Sequence, residues 1–491
     1  MSNEIFSESL AYNNIKRRAV SSRSYRVRLP PSNATSFVPG NVIQFDLPAN
    51  LAGTYFNSNQ CYLKFNLKNT SVSGAAGAVA GSQNARLDRP GAYSLIRRLQ
   101  ISTAGAQLQD TDRYNVLACA MLDTDASHEW KASVGKALCG IQNTGSGEWV
   151  GGIASAAPAE AAKPYTVAPQ PEGRDYCLPL ILNVLSQSTP HRFFPLFSLS
   201  PIQLRFTLED AINVFKESGA VSNYAISDVE LVMMLTELSP SAQASVDAMT
   251  GGRYDILATS WSNSTATKGA GAASLTANLG ISVSSLERVI IIHRLQSVAN
   301  GTLTTLTLGG RDTAGITEYS LLINSEQYPA RPIKADKLFG AEPMAELLQA
   351  DHALANFQKG NGLNGSFMQG NAVTGGNTMF FCNNPSDALI APGYMNVSGA
   401  QSTIGSVNAV GVVIGSDVGY FVASIELESG ISDGKSSHIY SGISTLASTV
   451  QYLGKYDVAA APGAYTLDFF SNFTVLISLN MRGTGVYSVS V

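Results

Sequence analysis

The residues of this sequence that could perform chemistry are few and widely spaced. The histidines are His128, His191, His293, His352 and His438. His128 in DTDASHE and His352 in QADHA have acidic neighbours, so each is a candidate general base or metal ligand. Because the five histidines are far apart in sequence, structural or solvated side chains are the simpler interpretation.

Closely spaced carboxylates are a second candidate site. The triplet Asp-Thr-Asp occurs twice, at Asp110–Asp112 and at Asp123–Asp125. Such carboxylates can hold a calcium ion together with backbone oxygens. No EF-hand loop surrounds either triplet, and an aspartate before a helix is an ordinary cap. We therefore predict no metal site.

The cysteines do not form a recognisable site. The five thiols, Cys61, Cys119, Cys139, Cys177 and Cys382, are scattered and show no Cys-x-x-Cys spacing. This pattern argues against zinc and predicts buried free thiols in a reducing compartment. No run of apolar residues has the length of a secretory signal or a membrane span, so we expect neither.

No catalytic signature is present in the chain. The sequence lacks GxSxG, HExxH, a P-loop and a dinucleotide-binding fingerprint. The segment GTLTTLTLGG predicts a strand, and GGRD at Gly309–Asp312 predicts a hairpin turn. We predict no catalytic residue, no cofactor and no enzyme activity.

The basic N-terminal segment is the strongest candidate for contact with a partner. Residues 1–30 carry four more cations than carboxylates, so the rest of the chain has a net charge near −8. The segment could bind nucleic acid by neutralising phosphates, an anionic membrane, or a neighbouring subunit beneath which it threads. The sequence leaves all three open. The predicted contact residues are Lys16, Arg17, Arg18, Arg23, Arg26 and Arg28.

The elements that would position these residues are mostly strands. Apolar and polar residues alternate in NVIQFDLP, YLKFNLK and PIQLRFTLED, as expected of half-buried strands. With 44 glycines and only 14% charged residues, the composition suits an all-β protein whose surface is largely covered by neighbours. A chain of 491 residues exceeds one ordinary core. We predict an arm at 1–30 and two domains at 31–245 and 246–491, joined by a helical linker near 240–252.

One succession of elements occurs twice. Ser94–Leu122 reads as strand, turn at Ala104-Gly105, strand and helix, and Glu318–Leu354 reads the same way. The repetition predicts two domains of the same sandwich type, with these segments as counterparts.

Four stretches, in this order, resemble the double jelly-roll major capsid proteins of icosahedral DNA viruses, including large nucleocytoplasmic viruses, virophages and membrane-containing phages. The stretches are SLIRRLQISTAGAQLQDTDRY; the run containing Leu178-Pro179-Leu180 and Pro195-Leu196; LLINSEQYPARP; and NFTVLISLNMRGTGVYSV. The resemblance implies two side-by-side jelly-roll β-sandwiches with short helical excursions and long loops.

The same resemblance implies a viral major capsid protein located in the virion and made in the host cytoplasm. Three chains would form a homotrimer with a pseudo-hexagonal outline, and trimers would tile an icosahedral shell around the genome. Minor capsid or penton proteins are further expected partners, and the arm would face an internal membrane or the genome. The alternative is a carbohydrate-binding β-sandwich surface or receptor-binding protein. A β-sandwich hydrolase is a third reading, but paired acids in a recognisable context are missing.

Overall fold

The computed structural model describes residues 21–70, 72–73, 86–103, 106–141, 173–185, 188–189, 193–216, 220–221, 223–301, 307–311, 313–335, 341–351, 379–382, 393–396, 421–427, 442–458, 463–481 and 485–491. The predicted turn Ala104-Gly105 and the residues Lys16, Arg17, Arg18, His191, His352 and His438 lie outside these ranges.

Strands dominate the first half of the chain. They are β1 (Ser22–Leu29), β2 (Ser36–Phe37), β3 (Val42–Asp46), β4 (Thr54–Asn69), β5 (Val72–Ser73), β6 (Arg86–Leu87), β7 (Ile96–Thr103), β8 (Ala106–Thr111), β9 (Arg174–Pro179), β10 (Ser188–Thr189), β11 (Phe194–Pro195), β12 (Ile202–Leu208), β13 (Phe215–Lys216), β14 (Ala220–Val221) and β15 (Tyr224–Leu238).

The second half has the same character. Its strands are β16 (Arg253–Lys268), β17 (Ser274–Asn278), β18 (Leu286–Leu295), β19 (Ile316–Ile323), β20 (Glu326–Lys334), β21 (Met379–Cys382), β22 (Gly393–Asn396), β23 (Ala423–Glu426), β24 (Val450–Tyr456), β25 (Tyr465–Asn480) and β26 (Tyr487–Ser490).

Helices occupy the connections between strands. They are α1 (Tyr114–Asp125), α2 (His128–Trp130), α3 (Lys136–Cys139), α4 (Ala211–Val214), α5 (Pro240–Thr250), α6 (Gln296–Ala299) and α7 (Ala341–Ala350), with a 3-10 turn at Gly91–Leu95 and a π-helical turn at Lys131–Gly135. In the described part of the chain, no helix has both the length and the apolar character needed to cross a bilayer.

The two halves share one strand order. In the first, the eight strands that build the two main sheets are, in chain order, β1, β3, β4, β7, β8, β9, β12 and β15, and they form the sheets β1-β15-β4-β9 and β3-β12-β7-β8. In the second they are β16, β17, β18, β19, β20, β23, β24 and β25, in the sheets β16-β25-β18-β23 and β17-β24-β19-β20. Each half therefore pairs its first, eighth, third and sixth strands in one sheet and its second, seventh, fourth and fifth in the other. This confirms an all-β chain with two sandwiches of the same topology.

The repeated hairpin and helix occupy equivalent places in this order. The fourth and fifth strands are β7 and β8 in one half and β19 and β20 in the other, and α1 or α7 follows. In the second hairpin, Asn324 and Ser325 have φ values of 48° and 75°, as a two-residue type I′ turn requires. Both segments thus have the predicted succession of strand, strand and helix.

Each half of the chain is one jelly-roll barrel, and its core is formed by the side chains at alternate positions of its strands. In the first, Ile43 and Phe45 of β3 are buried, and the Phe45 ring meets Phe206 of β12 edge-on at 6.1 Å. In the second, Tyr452 of β24 and Phe469 of β25 pack with their ring centroids 5.1 Å apart. Such aromatic pairs add to the hydrophobic stabilisation of each core.

The connector between the barrels is the helix α5. Ser239 caps it by accepting a hydrogen bond from the Ala242 N–H, Pro240 stands at its first turn, and Gly251 ends it at a φ of 67°. The predicted linker is therefore helical, and the predicted domain boundary at 245–246 falls inside this helix.

The basic segment is partly strand. Residues 22–29 form β1 and pair with β15 from Ser22–Leu238 to Leu29–Leu231. Tyr25, Val27 and Leu29 are half-buried and alternate with exposed arginines, so the pattern has the two-residue period of a strand. The last part of the predicted arm is thus the first strand of the first barrel.

Candidate assembly site: the junction between the barrels

The two barrels join at the edges of two sheets. Strand β8 of the first barrel runs parallel to β16 of the second, with Asp110 opposite Ser262. The Ser260 hydroxyl donates to the Leu108 carbonyl at 3.2 Å, and the Thr111 hydroxyl donates to the Trp261 carbonyl at 2.8 Å. The edge-to-edge contact makes one continuous sheet of β3-β12-β7-β8 and β16-β25-β18-β23.

A second layer of the junction is built on Asp88. This fully buried carboxylate of the first barrel accepts hydrogen bonds from three successive backbone N–H groups of the second, those of Thr307, Leu308 and Gly309, at 2.8, 3.1 and 2.8 Å. Charge-assisted bonds of this kind are about twice as strong as neutral ones. Asp88 therefore fixes the backbone of a second-barrel connection against the first barrel.

The segment that Asp88 holds differs from the sequence prediction. A strand near 301–310 with a hairpin turn at GGRD was expected, but the segment connects β18 and β19, which lie in different sheets. Residues 302–306 and 312 lie outside the described residues, so the predicted strand and hairpin stay predictions there; in the described part, Thr307–Gly309 are bends and not strand. Gly309 instead lies against Arg89, and an added Cβ there would come within 2.3 Å of the Arg89 Cβ.

Asp123, in the last turn of α1, is the centre of a buried ion cluster. Its carboxylate contacts Arg89 at 3.0 Å, Lys131 at 3.0 Å and Arg311 of the second barrel at 2.5 Å. Burial alone would raise the pKa of Asp123, but the three cations lower it well below its usual range. The Asp-Thr-Asp triplet considered for calcium thus supplies an anion to three side-chain cations.

A further ion cluster crosses the junction at Asp468 on β25. The Arg294 guanidinium of β18 contacts its carboxylate at 2.7 Å, and Arg113 of the first barrel contacts it at 3.2 Å. Asp468 and Arg294 are buried, and Arg113 adopts a left-handed conformation at the start of α1. Removing one partner of such a cluster leaves an uncompensated buried charge, which is strongly destabilising.

The charged groups of the junction hold the two barrels together. Its charged groups are paired with each other or with backbone, and the described residues contain no group of three or more His, Cys, Asp or Glu placed to hold a metal ion. Among the described thiols Cys61, Cys119 and Cys139 are buried and Cys177 is half-buried, and burial raises the pKa of the first three to about 12. These thiols are therefore poor nucleophiles near neutral pH.

Of the six predicted contact residues the structure describes three, and these three lie away from the junction. Arg23, Arg26 and Arg28 are exposed along the edge strand β1. The Arg23 guanidinium lies 5.2 Å from the Tyr25 ring centroid, and Arg28 contacts Glu230 at 3.4 Å. The structure spreads these three arginines along one strand and does not gather them into a pocket.

The role of the junction residues was not predicted from the sequence, where Asp123 was considered only as a calcium ligand. A signal existed in two of them: Arg294 interrupts VIIIHRL and Asp468 interrupts YTLDFF, so each places a charge inside an apolar strand. A charge in such a run is expected to be paired. The sequence alone does not show that the two residues pair with each other.

Comparisons with known proteins agree with the fold. No protein-family profile and no curated protein sequence matches the chain. The Faustovirus major capsid protein superposes with a TM-score of 0.57 at 11% identity, covering 95% of this chain and 92% of that one. The PBCV-1 virus capsid protein gives 0.55 at 9% identity over 98% and 99%.

A third solved structure extends the likeness to the whole chain. The Sputnik virophage structure matches with a TM-score of 0.54 at 10% identity, covering 100% of this chain and 93% of that one. This chain has the double jelly-roll fold. The likeness spans both barrels of the double jelly roll.

Proposed function

We propose that this chain is a viral major capsid protein with a structural, non-enzymatic role. The supporting observation is the twice-repeated jelly-roll topology, which matches capsid proteins over nearly the full length of both chains. A shell of many copies needs rigid units of fixed shape, and the buried ion clusters hold two barrels as one such unit.

In this proposal the chain assembles as a homotrimer, and trimers tile the shell of the virion. Each chain contributes two similar barrels, so three chains give six barrels around a threefold axis. Light scattering of the purified full chain should therefore report three times the 51.8 kDa chain mass, or a larger assembly. A stable monomer at all concentrations, or one retained on a sugar column, would favour the carbohydrate-binding alternative.

The N-terminal segment is proposed to contact the inner side of the shell. Lys16, Arg17 and Arg18 supply cations for a membrane, the genome or a neighbouring capsid protein. Binding of the full chain and of a chain lacking residues 1–20 to duplex DNA and to anionic vesicles would separate these partners. Salt-sensitive binding that is lost on truncation identifies the partner, and binding that is unchanged excludes the segment.

A further inference from the structure

One end of the second barrel contains a buried polar cluster, which we call the His293 cluster. Its members are His293 of β18, Lys268 of β16, and Tyr452 and Tyr456 of β24, and all four side chains are buried. We propose that this cluster is an acid-triggered switch, which opens that end of the barrel when His293 takes up a proton and leaves the opposite end closed. The inference concerns a change of conformation within one chain and does not depend on the proposed trimer.

The His293 cluster lies where strands of the second barrel begin and end. Lys268 is the last residue of β16, Tyr456 is the last residue of β24, and Tyr465 is the first residue of β25. His293 is two residues from the end of β18 and lies opposite Leu467 of β25. Local opening costs least free energy at fraying ends, so this end of the barrel can open without the rest.

In the closed state the His293 cluster accommodates a neutral imidazole. The Nε2 atom of His293 lies 3.3 Å from the Tyr456 hydroxyl, and that hydroxyl lies 3.0 Å from the Tyr452 hydroxyl. The Nδ1 atom of His293 has no hydrogen-bond partner among the described residues. The Nζ atom of Lys268 lies 5.2 Å from the ring centroids of both Tyr456 and Tyr465, which are cation–π contacts.

Protonation of His293 would place a second cation in this closed space. Both nitrogens of an imidazolium are donors, so the Nδ1 proton would be buried without an acceptor among the described residues, which is costly. Each such requirement disappears when the end opens and water reaches the ring. The closed state is therefore disfavoured as soon as the pH allows the open state to bind a proton.

The charges around His293 add to this effect. Among the described residues Lys268 is the charged side chain that acts on His293, and the uncharged ring of Phe421 faces it at 5.9 Å. Arg294, the next residue of β18, points to the other face of the strand and pairs with Asp468. Burial and, to a smaller extent, Lys268 lower the pKa of His293 to about 3.

The first barrel has a leucine at the equivalent place. His293 lies two residues inward from the pair that Leu295 forms with Tyr465, the first residue of β25. The corresponding strands of the first barrel are β4 and β15, and Leu67 lies two residues inward from the pair that Asn69 forms with the first residue of β15. Leu67 is fully buried. This topology therefore closes with a leucine, and the histidine adds a proton-binding group that the fold does not require.

Hydrogen exchange of the full-length protein tests the switch. The pKa of His293 is about 3 in the closed state and near its ordinary value of 6.5 in the open state, so the equilibrium constant for opening should rise about 30-fold from pH 7.5 to 5.0. The probes are the Tyr456 and Gln296 amides, which donate to the Ala273 and Ala464 carbonyls at this end. Each exchange rate is divided by the intrinsic rate at the same pH.

The variant His293→Leu, which copies the first barrel, should lose the acid response at these amides, and His293→Gln gives the same comparison if the leucine variant does not fold. The control probe is the Met481 amide, which donates to the Gly252 carbonyl at the opposite end of the barrel and should show no such rise. An equal rise in the variant, an equal rise at both ends, or no rise in the wild type would each overturn the proposal. None of these results bears on whether the chain forms trimers, so the proposed function is tested separately.

Discussion

Single buried charges hold the two barrels in register. Asp123 and Asp468 each bind cations from both barrels, at distances between 2.5 and 3.2 Å. Such pairs give little net stability compared with apolar contacts, but each is expensive to break once buried. Their effect is therefore to make one relative placement of the barrels far more favourable than others.

Replacing Asp123 by asparagine should destabilise the chain by roughly 3–5 kcal/mol, because Arg89, Lys131 and Arg311 would then lack their shared counter-charge. The measurement is the free energy of unfolding from urea titrations. Asp110→Asn is the matched control: its partner Arg98 is 41% exposed, so the loss should be at most about 1 kcal/mol. Equal losses in the two variants would contradict the role given to Asp123.

His293 should make the chain acid-sensitive. Burial, with a further effect from Lys268, lowers the pKa of His293 to about 3, and its Nε2 lies 3.3 Å from the Tyr456 hydroxyl. The unfolded chain binds this proton near pH 6.5, so folding stability falls as the pH drops from about 6.5 toward 3. At pH 4.5 the loss should be about 2–3 kcal/mol.

The variant His293→Gln isolates this contribution. Carboxylates titrate in both proteins, so their contributions to the pH dependence of the free energy of unfolding cancel when the two are compared. Between pH 7.5 and 4.5 the free energy of unfolding should therefore fall less in the variant than in the wild type. Identical pH profiles would show that His293 does not carry the effect.

At the scale of elements, β1 is the first part of the chain that is held in the sheet, by its pairing with β15. Eight residues of β1 pair with β15, and Tyr25, Val27 and Leu29 pack against the core. Deleting residues 1–20 should leave the thermal midpoint unchanged, since β1 and its pairing are retained. Deleting residues 1–29 should lower that midpoint and promote aggregation, because it exposes the long edge of β15.

The two truncations are read by circular dichroism and light scattering. An equal loss of stability in both would mean that residues 1–20 contribute to the fold. No loss in either would mean that β1 is dispensable.

Several elements could be read from the sequence because local pattern determines them. The alternation in β3, β4 and β12, the connector helix α5, and the hairpins followed by α1 and α7 all follow from period and turn residues. Strand β1 was harder to predict, because arginines occupy its exposed positions. The segment therefore looks like a basic cluster in the sequence, although its apolar residues have the two-residue period of a strand.

The contact of β8 with β16, and that of Asp88 with Thr307–Gly309, join residues more than 140 positions apart. No local pattern specifies such pairs, because tertiary packing selects them. The candidate site was therefore only partly predictable: the two barrels could be predicted from the sequence, but the junction between them could not.

At the scale of the whole molecule, the chain is one block made of two like parts. The continuous sheet and the buried ion clusters fix the angle between the barrels, and among the described residues the edge strands β1 and β20 each pair with one strand. In the proposed homotrimer, three copies of such a block would place six barrels in a ring. The central claim is that this chain forms that ring.

Electron microscopy of the purified full-length protein tests this claim most directly. Class averages viewed along the symmetry axis should show a threefold particle of six similar lobes with a nearly hexagonal outline. Two-lobed single chains at every concentration, or a closed assembly without threefold symmetry, would contradict it.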